Sequence, residues 1–341
     1  MEEQVARDIV EQATRAPSIH NTQPWRFVSR PDAGPNTGPD TGPDTGPDTG
    51  TIELWTDPSR GLAVLDPTGR GRHLSCGAAL LHARLAAAAA GYSTTVRILP
   101  DPAAPTHLAD LELHAGESGA AQREESELVA AIATRHTSRE PFSDKPVPED
   151  TVRELRQAAA SEGAWLRIIE TPEDATAVAV LMAQADEAQA ADPAYVEELR
   201  KWTQRGDSGD GIPSSAVPDT APTERGSNYR LRDFVADREP DSDSPHEPPP
   251  VERPLVAVLG TTDDDVPSWI AAGQALGRLL LTATAHGVTA SPLTQALEIP
   301  DTRARLASEL GVIGHPQMLL RLGYGSSGAP TPRRPIKDVL S

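Results

Sequence analysis

The stretch LSCGAALLHARLAAAAAG, Leu74 to Gly91, reads as a helix stopped by a glycine, and a second stretch 196 residues later reads the same way. Its alanines and leucines are strong helix formers, and Gly91 falls where helices end in left-handed backbone. The counterpart is WIAAGQALGRLLLTATAHG, Trp269 to Gly287. Sliding one onto the other superposes Gly77 on Gly273, Leu80 on Leu276, Leu85 on Leu281 and Gly91 on Gly287, and the alanine pairs 79/275, 87/283 and 89/285 coincide as well. A strand pattern follows each helix, TTVRILP in the first case and VTASPLTQ in the second. A unit of helix, glycine and strand that recurs once predicts two α+β halves in a single chain.

Upstream of the first unit, Val5, Ile9 and Ala13 stand at four-residue steps, which predicts a helix over 4–15 that Pro17 ends. The polar stretch RAPSIHNTQPWRF (15–27) runs into a short strand near Trp25–Val28. A low-complexity TGPD insert (32–50), too rich in Pro and Gly to build a core, precedes the strand TIELWTD. Between the two units lie a second polar stretch, RHTSREPFSDKPVP (135–148), a helix in TVRELRQAAA, a strand in WLRII (165–169) and a helix around EDATAVAVLMAQADEAQ. Residues 206–253 are rich in Pro, Ser, Gly and Asp, and so long an irregular connection is a lid, a binding loop or disordered. LVAVLG (255–260) and MLLRLG (318–323) read as buried strands.

The chain has 341 residues and a formal net charge of -19. That balance argues against nucleic acid, whose binding needs a basic surface. Lysine is confined to Lys145, Lys201 and Lys337, so nearly every cation is an arginine. An acidic, lysine-poor surface suits a salt-rich cytoplasm, and GC-rich coding DNA would also favour Arg over Lys. Cys76 is the only cysteine, which excludes an intrachain disulfide and predicts a small packed side chain. The start MEEQVARDIV lacks the features of a signal peptide, and no apolar run reaches the length of a membrane span, so a cytoplasmic protein is expected.

The chemistry concentrates in the two polar stretches and in PTPRRP (330–335). Arg135, Arg139, Arg333 and Arg334 lie in loops or beside strand ends, where a guanidinium fork suits a phosphorylated ligand. Ser18, Asn21, Gln23, Thr137 and Ser138 supply short donors and acceptors able to orient a heterocycle. Singly, each serves as readily to cap a helix or make a turn.

Jointly, APSIHNTQPWRF, RHTSREPF followed by KPVP, and PQMLLRLGYG followed by PRR resemble the flavin-dependent nitroreductase superfamily. Members carry an R-x-S-x-R-x-F stretch and an A-P-S-x-x-N-x-Q-P-W stretch. The order found here, with the APS stretch first, resembles the Acg-type branch, in which one chain looks like a fused dimer. The resemblance implies a nitroreductase-like fold in two degenerate halves, 1–134 with the APS loop and 135–341 with the RHTSR motif. It implies FMN as cofactor, NAD(P)H as electron donor, a small-molecule acceptor and a pseudo-dimer able to work as a monomer. At the point where the second half needs its own APS loop it has AAASEGAWLRII, so one FMN per chain is expected.

Carried over residue by residue, the resemblance makes Arg135 the phosphate arginine, with Arg333 or Arg334 completing the clamp. His136 belongs to the same stretch, Thr137 and Ser138 sit near ribityl and phosphate, and Arg139 lies beside the flavin pyrimidine. Arg15, Pro17, Ser18, His20 and Asn21 come from the other half, with Gln23 bracing the loop. Pro292, Leu293 and Thr294 lie where the family places backbone donors near N5. Trp25 is expected in the core. The activity implied is an FMN oxidoreductase acting on a nitroaromatic or quinone-like acceptor, with the chemistry on the flavin and no metal. The alternative is an FMN-binding protein without turnover, because the segment around GDGIP (209–213) lies where Acg-type proteins carry a lid.

Overall fold

The computed structural model describes residues 2–31, 49–116, 120–203, 209–217, 229, 231–232, 234, 252–325 and 328–341. The TGPD repeat and most of 206–253 therefore lie outside the described residues. The first half runs through α1 (Glu3–Thr14), β1 (Trp25–Pro31), β2 (Gly50–Thr56), α2 (Arg70–Ala89), β3 (Tyr92–Ile98), β4 (His107–Ala115) and α3 (Ala120–Thr134). The second half runs through α4 (Glu149–Ser161), β5 (Trp165–Ile168), α5 (Pro172–Ala190), α6 (Pro193–Thr203), β6 (Leu255–Thr261), α7 (Val266–Ala285), β7 (Thr289–Pro292), α8 (Gln295–Glu298), α9 (Pro300–Glu309) and β8 (His315–Gly323).

Each half forms one antiparallel four-stranded sheet, in the order β1-β2-β4-β3 and β5-β6-β8-β7. The two orders are the same walk taken twice. Even the irregularity repeats: the ladder of β2 shifts register between Leu54 and Trp55, and that of β6 between Leu259 and Gly260. The duplication read from two helices thus extends to both sheets. In both halves the extra chain enters between the first and second strands. It is the TGPD insert in one, and α5, α6 and the following segment in the other.

α2 and α7 are buried along most of their length, which explains their alanine, leucine and glycine content on every face. They pack against each other and join the halves, with Leu81, Leu85, Ile132 and Leu281 sharing one apolar cluster. Asp265 starts α7 by accepting the Ser268 N–H at 3.0 Å, and Thr171 starts α5 by accepting that of Asp174 at 3.1 Å. β6 and β8 are buried over most of their length, as their apolar runs predict. Trp25 and Cys76 are both 0% exposed in the first core, and burial pushes the Cys76 thiol up to about 12.

The start and the end of the second half are both tied to sheet edges. Ser138 N–H donates to the Ala290 carbonyl at 3.0 Å, adding the start of the second half to the edge of β7. The C-terminal residues return to β1, with Phe27 N–H on Val339 O at 2.7 Å and Ser341 N–H on Phe27 O at 3.1 Å. No local pattern in the sequence anticipates that return. Among the described residues no helix is long and apolar enough to cross a membrane.

Candidate functional site

α1 ends at the first polar stretch because Pro17 cannot continue it. The loop then takes an unusual path: His20, Asn21 and Gln23 all have positive φ, at 45°, 53° and 49°, with no glycine among them. Left-handed backbone at such residues costs about 1–2 kcal/mol each, so other contacts must enforce it. Asn21 Nδ2 donates to Gly211 O at 2.8 Å and Pro332 O at 3.0 Å, and Gln23 Nε2 donates to Gly209 O at 2.8 Å. Gln23 Oε1 accepts from Arg334 N at 2.8 Å, and Ser18 Oγ accepts from Gln23 N at 3.0 Å. Three parts of the chain are stitched together here by side-chain amides.

Behind this loop opens a cavity of about 530 Å³ lined from both halves. Pro17, Ser18, His20 and Asn21 line it from the first half. Arg135, His136, Thr137, Arg139, Pro292, Thr294 and Arg333 line it from the rest of the chain. An adjoining cavity of about 500 Å³ carries Arg7, Arg15 and Arg334 and shares Arg135, His136 and Arg333 with the first. Arg135 and Arg333 therefore stand between the two.

Both guanidiniums are held at the C-terminal end of α1. Arg135 Nη2 donates to Arg15 O at 3.3 Å, and Arg333 Nη2 donates to Arg15 O at 3.1 Å and Ala16 O at 3.3 Å. Arg15 O is an orphan carbonyl of the helix C-cap, at the negative end of the dipole, and Ala16 O follows it. Arg333 Nη1 also reaches Asn21 Oδ1 at 3.1 Å. Neither arginine is in an ion pair among the described residues, and Nε of each is buried without a hydrogen-bond partner. Burial lowers Arg135 to about 10. Burial, then the neighbouring charges of Arg135 and Arg15, lowers Arg333 to about 9. Two buried, mutually repelling cations with donors left over have the chemistry that suits an anion. Burial and the same two arginines lower His136.

The strand-like pairing of 137–138 with β7 sorts the remaining residues by side. Thr137 and Arg139 face the cavity, whereas Ser138 is 0% exposed and its Oγ accepts the Glu140 N–H at 3.3 Å. Arg139 Nη1 donates to Ala216 O at 3.2 Å, with its guanidinium 5.3 Å from the Phe234 ring centroid. Pro292 and Thr294 line the cavity while Leu293 turns into the core at 1% exposure. Five sequence-derived candidates thus stay off the main cavity wall: Arg15, Gln23, Ser138, Leu293 and Arg334. Arg334 instead donates to Gln23 O at 3.3 Å and Asp338 O at 2.7 Å, which leaves Arg333 as the inward-facing member of the pair.

Sequence reasoning missed a polar wall at another part of this cavity, made by Arg232 and Glu298. Arg232 Nη2 donates to Glu298 Oε2 at 2.5 Å and to Thr294 Oγ1 at 3.2 Å, and it also bonds the Tyr195 hydroxyl. Gln189 Nε2 donates to Glu298 Oε2 at 2.6 Å. The charge of Arg232 holds Glu298 below the usual carboxylate range although burial opposes it. A charged pair in a loop and a short helix looks solvated in sequence, and no spacing rule would have joined residues so far apart.

The chain is similar to proteins of one known family. The profile of the nitroreductase family matches residues 132–324. A Mycobacterium tuberculosis protein named "Putative NAD(P)H nitroreductase" is 34% identical over 343 residues, covering 99% of this chain and 91% of its own length. Another from that species, "Putative NAD(P)H nitroreductase acg", is 31% identical and covers 98% of this chain and 95% of itself. Among solved structures, a nitroreductase with bound FMN from Bacteroides fragilis aligns at 17% identity and a TM-score of 0.37, over 62% of this chain and 94% of that one. From the profile and the near full-length relatives, the chain belongs to the nitroreductase family, and so to the oxidoreductases.

Proposed function

We propose that the chain holds one FMN in the shared cavity and passes electrons from NAD(P)H to a small electron-poor acceptor such as a nitroaromatic or quinone. The observation that carries this reading is the buried couple Arg135 and Arg333, in no ion pair among the described residues. A phosphate there would take the two leftover Nε donors and cancel the repulsion between the guanidiniums. Thr137 would serve the ribityl side, Arg139 the pyrimidine, and Pro17, Ser18 and Asn21 the ring from the other half. His136, Pro292 and Thr294 complete the cradle, with Leu293 behind it in the core and Gln23, Arg15 and Arg334 holding it in place. FMN, when bound, supplies a two-electron store that accepts from nicotinamide and gives to the acceptor. The protein supplies walls that exclude water, and a cation at Arg139 placed to favour negative charge on the ring.

Because both halves line the site, a single chain completes it. We place the boundary between the halves at 134/135, where α3 ends and the chain crosses to β7. The test is the visible spectrum of the purified protein, followed anaerobically as NADPH and then NADH are added. A bound-flavin spectrum that bleaches with either supports turnover, and a protein that neither carries nor takes up FMN refutes the proposal.

A second reading is favoured by one observation. Residues 209–212 are fastened over the loop: Gly211 N–H donates to Asn21 O at 3.2 Å, Ile212 N–H donates to Trp202 O at 2.8 Å, and Arg60 pairs with Asp210. A cover so held would make an FMN-binding protein without turnover. Bleaching by dithionite but by neither nicotinamide donor would select that reading.

A further inference from the structure

Arg70 and Arg303 converge on one atom. Arg70 Nη1 donates to Gln317 Oε1 at 3.2 Å, and Arg303 Nη2 donates to the same oxygen at 3.1 Å. The amide nitrogen of Gln317 donates to Asp264 Oδ1 at 3.1 Å and to Thr261 Oγ1 at 2.9 Å. Asp264 is the one carboxylate bonded in this cluster among the described residues, and Arg303 takes it with two bonds of 2.8 Å. Trp269 Nε1 donates to it as well, at 2.7 Å. Arg70, Asp264, Trp269, Arg303 and Gln317 all line the large cavity. They come from the start of α2, the loop before α7, α7 itself, α9 and β8, none of which carries Arg135, Arg139 or Arg333.

Arg70 is thus a cation in no ion pair among the described residues. Asp66 does not serve it, because that carboxylate accepts the Gly71 N–H at 3.0 Å and the Arg72 N–H at 2.8 Å. Arg70 also opens α2, where the helix dipole disfavours positive charge. Burial, then the charge of Arg303, lowers it to about 10. Its bonds to Gln317 O at 2.6 Å, to Gln317 Oε1 and to Leu297 O at 3.2 Å engage three of the five N–H donors of a guanidinium. The two left over are on Nε and Nη2, which share one edge of the fork.

A carboxylate supplies what is missing. Its two oxygens match two parallel N–H donors, and such a charged pairing is about twice as strong as a neutral one. The bonded cluster holds two guanidiniums and one carboxylate, so a monoanion balances it, whereas a phosphate dianion overshoots. Leu297, which accepts from Arg70, lines the cavity together with Pro300 and Met318, so an apolar body on the acid would meet apolar walls.

We propose that Arg70, backed by Arg303, is a binding site for a small carboxylate on an apolar body, an aromatic acid being the simplest case. It names a ligand class that the flavin reading does not supply, and it does not depend on FMN being held.

The test is calorimetric titration of the purified chain with benzoate and with benzamide, its neutral counterpart of nearly the same shape, with flavin content read by absorbance on the same samples. The wild type should bind benzoate at least about tenfold tighter than benzamide. Arg70→Met should abolish that preference. Arg70→Lys keeps the charge without the two-donor edge, so it should weaken the preference severalfold, and it stands in if the methionine variant fails to fold. Arg135→Met should keep the preference, because that guanidinium is held at the end of α1. Equal binding of the two ligands by the wild type overturns the proposal, as does an undiminished preference in Arg70→Met or Arg70→Lys. Loss of the preference in Arg135→Met alone would assign benzoate to the Arg135 and Arg333 couple and overturns it too. A flavin-free sample that still prefers benzoate would fail the earlier reading alone.

Discussion

Gly77 and Gly273 meet where α2 crosses α7, each against the backbone of the other helix. A Cβ on Gly77 would lie 2.2 Å from the Ile270 carbonyl oxygen, and one on Gly273 would lie 2.1 Å from that of Leu74. Ile270 and Leu74 are themselves equivalent under the 196-residue shift, so the crossing is a local two-fold within one chain. The cavity lies between halves whose relative placement this crossing sets. Alanine at either glycine must push backbone apart, and overpacking of this kind costs about 1–3 kcal/mol or more. Urea denaturation should show that loss for Gly77→Ala and Gly273→Ala separately. The double variant should cost less than the sum, because one helix shift relieves both clashes. Gly91→Ala is the control: no atom of the described residues lies within 4 Å of its Cβ, and its φ of +89° opposes the change, at about 1 kcal/mol.

The sign of the Arg135 effect should depend on whether the anion is present. With FMN in solution, Arg135→Ala removes a charge-assisted contact worth roughly 1.5–3 kcal/mol. Retention should fall about ten- to hundredfold by fluorescence titration. Without FMN, the same arginine is a buried cation with no ion pair among the described residues, beside a second one. Arg135→Met should therefore raise the Tm of the flavin-free protein while abolishing the gain in Tm that FMN gives the wild type. A variant less stable in both states would show that Arg135 is structural.

What was legible in the sequence was what chemistry or close packing forces onto particular residue types. The glycines of the helix crossing could be matched because nothing larger fits. The loop residues Ser18, Asn21, Arg135 and Arg139 stood out because neither core nor solvent explains such a mixture. β4 was not read, and its residues show why. Glu53 and Asp110 are paired directly across β2 and β4, two carboxylates on the face opposite Ile52, Leu54, Ala109 and Leu111 that are buried where a polar pattern points to solvent. They are tolerated because Arg30 pairs with Glu53 from one side while Arg97, at 3.1 Å, and His107, at 2.8 Å, pair with Asp110. The pairing of Val339 with Phe27 and the Glu298–Arg232 wall were invisible for another reason. Each joins distant segments whose own local patterns say nothing of the partner.

Acid should weaken the flavin-free fold well above the carboxylate range. His82 is 0% exposed on α2, and burial, then the charge of Arg135, lowers it to about 3. His20 is likewise lowered to about 3, by burial and then Arg232. Between pH 6.5 and about 3 the unfolded chain binds protons that the folded chain refuses, so stability rises with pH across that window. The contribution is complete above pH 6.5 and drains away as pH falls. Each histidine loses roughly 1.4 kcal/mol for every pH unit crossed inside the window, several kcal/mol in all. Tm measured from about pH 7.5 to about pH 4 should fall steeply, and His82→Leu should flatten the slope. An unchanged slope would place the acid sensitivity elsewhere.

Arg321 and Glu252 form a pair whose side chains are both 0% exposed, and the pair reaches the cavity through the backbone. Glu252 Oε2 accepts the Phe142 N–H at 3.0 Å, Arg321 Nη2 donates to Ser291 Oγ at 3.3 Å, and the Arg321 guanidinium lies 5.0 Å from the Phe142 ring centroid. One ion pair thus fixes both the segment after Arg139 and the strand that carries Pro292. Removing one partner strands a buried charge, at a cost of roughly 3–5 kcal/mol. Arg321→Met should lose that much in denaturation and also weaken FMN retention, although Arg321 lines no part of the cavity. In the double variant Arg321→Met with Glu252→Gln, most of the stability should return, since no bare charge remains. FMN retention should recover less, because the amide restores the Phe142 bond but not the guanidinium contact to Ser291. Full recovery of both would mean that the pair supports the core and has no part in placing the site.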